Sequence, residues 1–475
     1  MSTERVAGWR SGERGRGLSL VVMAILGLTL PWGGARGETL DRALVSAYEL
    51  NPTLLAARAA LRAVDETVPQ ALSNWRPTVT ASGDYGRRRV RSTSGFTGFN
   101  FSTRETRTEK VLRLNVDQPL FRGFRTLSET REAEHRVRAQ RAALMGTEQD
   151  VLRDAVTAFM DVVRDQAVLQ LNVSNVHVLE RQLQATRDRF SVGEVTRTDV
   201  AQARARLARA VADRVRAEGA LDTSRATYRQ VVGEAPGKLA GPKPPKGLPA
   251  SLDEAIALAG DQFPAVIQAK FVERAARSGV NLVAGELLPT ATLSGEVTRS
   301  RDTTSVGSTS HQASIFARVT VPLYQSGSVT SRLRQAKQVA GQRRLEVAAA
   351  RRRAVENATR VWEALQTSRA RVRAFTSETK ANRIALEGVT EEASAGLRTV
   401  LDILDAEQEL LDSQVNLVTA KRDRVVAAFE VLRSVGRLTA GDTGLAVKVY
   451  DPKRHYEAVR LKLWGLGDSL PAETK

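Results

Sequence analysis

No cysteine occurs among the 475 residues, aromatics make up only 5%, and there are four histidines. Without Cys the chain can form no disulfide, thiolate metal site or thiol nucleophile, and it cannot carry a lipid anchor built on an N-terminal cysteine. His135, His177, His311 and His455 lie far apart in sequence and form no ligand cluster, so neither metal nor cofactor is expected. Enzyme signatures are also missing. There is no nucleophile elbow or zinc-protease helix, and Gly233, Gly237 and Lys238 suggest a phosphate loop only distantly, with Leu239 where Ser or Thr is needed. They read better as a helix end and a turn, and no enzymatic activity is expected.

Long apolar runs are scarce. The first, Leu18 to Leu30, follows Arg5, Arg10, Arg14 and Arg16 and precedes the small-residue site Ala35-Arg36-Gly37. It is shorter than the roughly 20 residues of a membrane span, so residues 1–37 read as a cleaved signal peptide and imply export. No later stretch is apolar enough to cross a membrane as a helix, so a membrane role would have to use β-strands. Cleavage would leave 66 basic against 51 acidic residues, a formal charge of +15. The arginines are interspersed with acids along helical stretches, which describes a solvated face, and no nucleic-acid partner is expected.

What fills the rest is a duplication. Leu40-Asp41-Arg42-Ala43-Leu44 recurs as Leu252-Asp253-Glu254-Ala255-Ile256, and Pro77-Thr78-Val79-Thr80-Ala81-Ser82-Gly83 as Pro289-Thr290-Ala291-Thr292-Leu293-Ser294-Gly295, both at an offset of 212. Pro119-Leu120-Phe121 recurs as Pro322-Leu323-Tyr324, Gly193 as Gly396 and Asp199 as Asp402, at an offset of 203. The length change falls between Gly83 and Pro119, which predicts exposed loops near residues 86–108 and 299–312. The copies span residues 38–245 and 246–440, joined by a Pro-rich connector and followed by a tail over 441–475.

Each copy begins with short helices, after which apolar and polar residues alternate in strands expected near 77–86 and 110–118, and near 289–298 and 313–321. Val79, Ala81, Tyr85, Leu112, Leu114, Val116, Leu293, Val297, Ile315 and Val319 would form one apolar face, and Thr, Ser, Asn, Asp, Glu and Arg the other. Alternation over about ten residues is the signature of an outer-membrane strand, though a soluble sheet with one packed face shares it. Helical stretches without an interior proline follow, breaking at Gly193 and Gly396 and returning from near Thr198 and Thr399, so each copy holds a helical hairpin, near 125–234 and 328–436. Leu152, Val156, Phe159 and Val163, and Val355, Ala358, Trp362 and Leu365, have coiled-coil spacing. Four strands cannot close in lipid, so membrane strands would demand an oligomer; three chains would supply twelve.

The chain resembles the TolC family of outer-membrane efflux and type I secretion proteins over nearly all its mature length. The most telling matches are Arg189-Phe190-Ser191-Val192-Gly193 followed by Thr198-Asp199-Val200, and Gly396-Leu397-Arg398-Thr399 followed by Asp402-Ile403-Leu404-Asp405-Ala406. The resemblance implies a mainly α fold with a membrane β-barrel portion, a homotrimer of twelve strands standing in outer-membrane lipid, and a periplasmic α-barrel closed at its tip. It implies docking, through a periplasmic adaptor, to an inner-membrane ABC or proton-driven transporter. On the family pattern Asp402 and Asp405 form the acidic rings of the aperture, with apparent pKa values raised by mutual repulsion, and Asp199 and Arg398 join the interlock that shuts it. A tyrosine common in that interlock is Ala393 here. The tail, with Tyr450-Asp451-Pro452, His455-Tyr456 and Trp464-Gly465, resembles an extension of some type I secretion components. The competing expectation is a periplasmic coiled-coil adaptor with no pore of its own.

Overall fold

The computed structural model describes residues 39–467 apart from 97–98, 238, 240 and 243–244, so the leader expected over 1–37 and the end of the tail lie outside the described residues. Caps mark where the helices begin. The Thr39 hydroxyl accepts from the Arg42 amide to start α1 (Leu40–Leu50), and Asn51 then caps α2 (Pro52–Asp65), its side chain accepting from Thr53 N at 2.9 Å with Pro52 in the first turn. After α3 (Thr67–Ser73) come β1 (Thr78–Phe96), β2 (Phe99–Arg122), α4 (Arg125–Ser191) and α5 (Arg197–Val232). The second copy repeats the order with α6 (Leu252–Gln262), α7 (Pro264–Ala284), β3 (Thr290–Arg301), β4 (Thr309–Thr320), α8 (Ser328–Ser394) and α9 (Val400–Ser434), and the tail adds α10 (Arg454–Val459).

The long helices α4 and α8 have 67 residues each. At ~1.5 Å per residue each is a rod of about 100 Å. The return helices, of 36 and 35 residues, cover only the half nearer the turn. Along the other half α7 packs against both α4 and α8. The largest core joins α1, α2, α4, α5 and α9, with Phe159 and Tyr228 fully buried at its centre, 6.5 Å between rings. Leu152, Val156 and Phe159 form the expected seam. In α8 the seam is shifted: Ala354, Ala358, Val361 and Leu365 are buried, while Val355 and Trp362 are only half-covered.

The four strands form one antiparallel sheet in the order β1-β2-β3-β4. Its register places Val79 opposite Val116, Ala81 opposite Leu114, Leu114 opposite Val297, and Val297 opposite Ala313, so the apolar residues of all four strands share one face. That face is bare: Val79, Tyr85, Leu112, Ile315 and Val319 are all more than 60% exposed. The strands differ from expectation at their ends. β1 and β2 continue through the region expected as a loop at 86–108, pairing Gly86 with Glu109 and on to Phe96 with Phe99. Apolar alternation marks only the part of a strand that presents one apolar face; beyond it both faces are polar, and the backbone ladder with Thr and Val carries the hairpin on without that signal. β2 also runs past 118 to Arg122, with its register shifted between Pro119 and Phe121, where Pro119 has no amide to donate.

The tail is tied to the first copy. Tyr450 N donates to the Tyr48 hydroxyl at 2.9 Å, Arg58 lies over the rings of Tyr48 and Tyr450, and buried His455 meets buried Asp65 at 3.1 Å. Burial raises the Asp65 pKa, against the opposing pull of His455.

Candidate functional site

At the far ends of α4 and α8, the two hairpin turns are built alike. Gly193, at φ 81°, donates to Phe190 O at 3.0 Å and Glu194 N donates to Arg189 O at 2.9 Å; Gly396, at φ 79°, donates to Ala393 O at 3.1 Å and Leu397 N donates to Glu392 O at 2.9 Å. Both are Schellman closures, which need a left-handed residue that glycine adopts without strain. The return helices then start with matching capping boxes. Asp199 Oδ2 accepts from Thr196 N at 2.8 Å and Asp402 Oδ2 from Thr399 N at 2.8 Å, while each Thr hydroxyl receives the amide of its Asp at 3.3 Å. The helix of the first copy is therefore capped by Thr196, two residues earlier than Thr198.

Each turn also carries an ion pair, with the charges exchanged between copies. Arg189 before the first glycine meets Glu194 after it at 3.0 Å; Glu392 before the second meets Arg398 after it at 2.8 Å. Asp199 and Arg398, expected to be interlock partners, are not brought together within the chain: one caps its own helix and the other holds Glu392. Hydrogen bonding to Glu392 raises the Arg398 pKa, and the Thr399 backbone and hydroxyl, donating to its carboxylate, lower that of Asp402. For Asp402 the direction within one chain is opposite to that expected from an acidic ring, because donors to a carboxylate favour its ionised form.

Asp405 lies one turn along α9 and forms an ion pair with Arg206 of α5, joining the two hairpins. Further from the turns, Arg422 meets Asp161 at 2.9 Å, Arg433 Nε meets Asp150 at 2.8 Å and Arg153 meets Glu430 at 3.7 Å, so with Arg206–Asp405 four ion pairs among the described residues fasten α9 to the first hairpin. Between them Val400 and Leu404 are buried with Val176, Leu179, Leu183 and Ala203. Asp402 and Asp405 therefore sit beside an apolar seam that fixes the orientation of α9, and Ala393 is buried at the second turn.

Sequence reasoning overlooked Arg206, Glu392 and Glu407. The capping boxes could be read as Thr-x-x-Asp, but the Arg206–Asp405 contact spans 199 positions and depends on how the hairpins pack, which no local spacing reveals. Glu407 is drawn into the same interface; burial raises its pKa and Arg181 works against the rise. Among the described residues no group of His, Cys, Asp or Glu could hold a metal ion.

Comparison with known proteins places this geometry. The chain is 37% identical to the outer membrane efflux protein BepC of Brucella suis biovar 1 (strain 1330), covering 94% of this chain and 96% of that one. It is 27% identical to the outer membrane protein TolC of Vibrio cholerae, covering 90% and 96%. Its fold is similar to the crystal structure of the Campylobacter jejuni CmeC outer membrane channel, with TM-score 0.76, 15% identity and 89% of each chain covered. The outer membrane efflux protein profile matches residues 43–234 and 255–437, the two copies of the duplication. The chain belongs to the outer membrane efflux protein family, the TolC-like channels of the outer membrane with a large periplasmic portion.

Proposed function

We propose that this protein is the outer-membrane exit duct of a tripartite export system, a homotrimer that receives its cargo from an inner-membrane transporter and a periplasmic adaptor and carries out no chemistry of its own. The observation that carries this reading is the four-stranded sheet, apolar on one face and unpaired along β1 and β4, attached to hairpins about 100 Å long. Unpaired strand edges are not tolerated in hydrocarbon. Because β1 and β4 run in opposite directions, the β4 of one copy can pair with the β1 of the next in the same antiparallel pattern. Three copies give twelve strands, an even number within the bacterial range, and six helical hairpins around the same axis.

Asp402 and Asp405 are assigned to the aperture. They stand on one side of the first turns of α9, beside the hairpin tip. Arg206, by pairing with Asp405, sets how far α9 can move from the first hairpin, and Arg398 and Asp199 hold the turns in shape. The exported material is either protein, in a type I secretion system with an ABC transporter, or small molecules, in efflux; the relative named an efflux protein favours the second.

The test is to purify the full chain from outer membranes in detergent, measure its mass, and insert it into planar bilayers. A trimer that conducts in discrete steps is the expected result. A water-soluble periplasmic protein that leaves the bilayer sealed would overturn the duct in favour of the adaptor.

A further inference from the structure

The lipid-side face of the sheet changes abruptly above its apolar band. On β1 the outward residues after Tyr85 are Arg87, Arg89 and Arg91; on β2 Leu112 gives way to Lys110; on β3 Val297 gives way to Arg299 and Arg301. All six are exposed. No carboxylate shares this face among the described residues, because Asp84, Glu105, Glu109 and Glu296 all have the opposite parity and point inward.

Two details show that the belt is not ordinary surface charge. Lys110 and Arg301 stand directly opposite each other across the β2–β3 ladder, an arrangement that like charges disfavour unless an anion lies between them. On the inward face, three cations of β1 and β2 are neutralised within the chain: Glu109 meets Arg88 at 3.1 Å and Arg107 at 3.5 Å, and Arg113 meets Glu296 at 3.6 Å. The outward arginines form no ion pair among the described residues. The boundary also descends. The first cation is Arg87 on β1, opposite Thr108; Lys110 on β2, opposite Tyr85; and Arg299 on β3, opposite Leu112. A step of two residues per strand is what a level boundary looks like on strands tilted to the membrane normal.

We propose that this belt binds the phosphate groups of the lipids in the outer leaflet around the barrel. The proposal rests on the sheet crossing the membrane, as argued above. Guanidinium groups match phosphate oxygens with paired hydrogen bonds, and the belt meets the headgroup layer directly above the last apolar row, Ala81, Leu114, Val297 and Ala313.

The full-length channel, reconstituted in phosphatidylcholine vesicles, is titrated with spin-labelled phosphatidic acid or spin-labelled phosphatidylcholine, and the motionally restricted fraction of each label is read. The wild type should prefer phosphatidic acid about tenfold, the preference fading with salt. Arg87→Gln/Arg89→Gln/Arg299→Gln/Arg301→Gln should cut it to about twofold, while the inward pair Arg88→Gln/Arg107→Gln leaves it intact. Equal restriction of both labels by the wild type, or the same loss in the inward variant, would overturn the belt. Suppression by inorganic phosphate beyond that of sodium chloride at matched ionic strength would overturn it in favour of a free-anion site. No restricted component with either label would overturn the membrane placement of the sheet, and the belt with it.

Discussion

The two copies of the repeat share lengths and hydrogen bonds in some places and differ plainly in others. The long helices agree in length, the return helices differ by a single residue, and turns and caps are reproduced bond for bond. The β-hairpins differ: β1 and β2 have 19 and 24 residues where β3 and β4 have 12 each. The tip ion pairs exchange their charges. Parts that pack side by side keep common dimensions, since a helix of another length would leave its neighbour's apolar stripe uncovered. Parts that meet solvent or another surface are free to diverge.

The sharpest contrast is at the corner where the sheet meets the long helix. Both copies take two successive positive φ angles there, at Gly123 and Phe124 in the first and at Ser326 and Gly327 in the second, so the glycine has moved by one position. The reason is local. A Cβ on Gly123 would lie 2.2 Å from Gly285 O, whereas Ser326 carries its side chain in the equivalent place. Gly123→Ala should therefore cost about 3 kcal/mol or more and depress the yield of assembled protein. Ser326→Ala should stay within about 0.5 kcal/mol. The thermal transition of the helical signal in detergent separates the two, and equal effects would show that the corners are not distinguished by packing.

A smaller effect tests the difference at the tips. Position 407 is Glu in the second copy, where Arg204 stands exposed in the first. Burial raises the folded-state pKa of Glu407, so the packed state holds the proton more tightly than the unfolded chain. Packing of α9 should strengthen as pH falls toward that raised value and weaken as pH rises through it. Asp402 behaves in the opposite sense: its folded pKa is lowered, so its cap is intact above the ordinary carboxylate range and is lost only as pH falls through the lowered value. Amide exchange over residues 400–411, corrected for intrinsic rates, should slow on mild acidification in the wild type and lose that dependence in Glu407→Gln. Unchanged dependence in the variant would move the effect to another group.

Much of this could be read from the chain beforehand because duplication turns one weak signal into two that must agree. The offsets of 212 and 203 located the hairpin whose length changed, and Gly193 and Gly396 marked both turns. What was hidden had physical causes. The upper half of β1 and β2 lacks apolar alternation because neither face packs against an apolar core, and the outward face of β1 carries Arg87, Arg89 and Arg91 instead. The α8 seam was misplaced by its large Trp362, which stays half-covered while Val361 is buried. At the tip, Asp402 and Asp405 were visible as a pair, but Arg206 was not, since its contact depends on the packing of one hairpin against another.

The carboxylates of Asp402 and Asp405 are expected to make the tip a cation-selective aperture. The most direct measurement is the reversal potential of the reconstituted channel in a salt gradient, for wild type and for Asp402→Asn/Asp405→Asn. Asparagine keeps an oxygen to accept from Thr399 N while removing the charge. The wild type should be cation-selective and blocked by multivalent cations, and the double variant should lose the block with its reversal potential moving toward zero. A double variant that keeps both properties would contradict the placement of the aperture at these carboxylates.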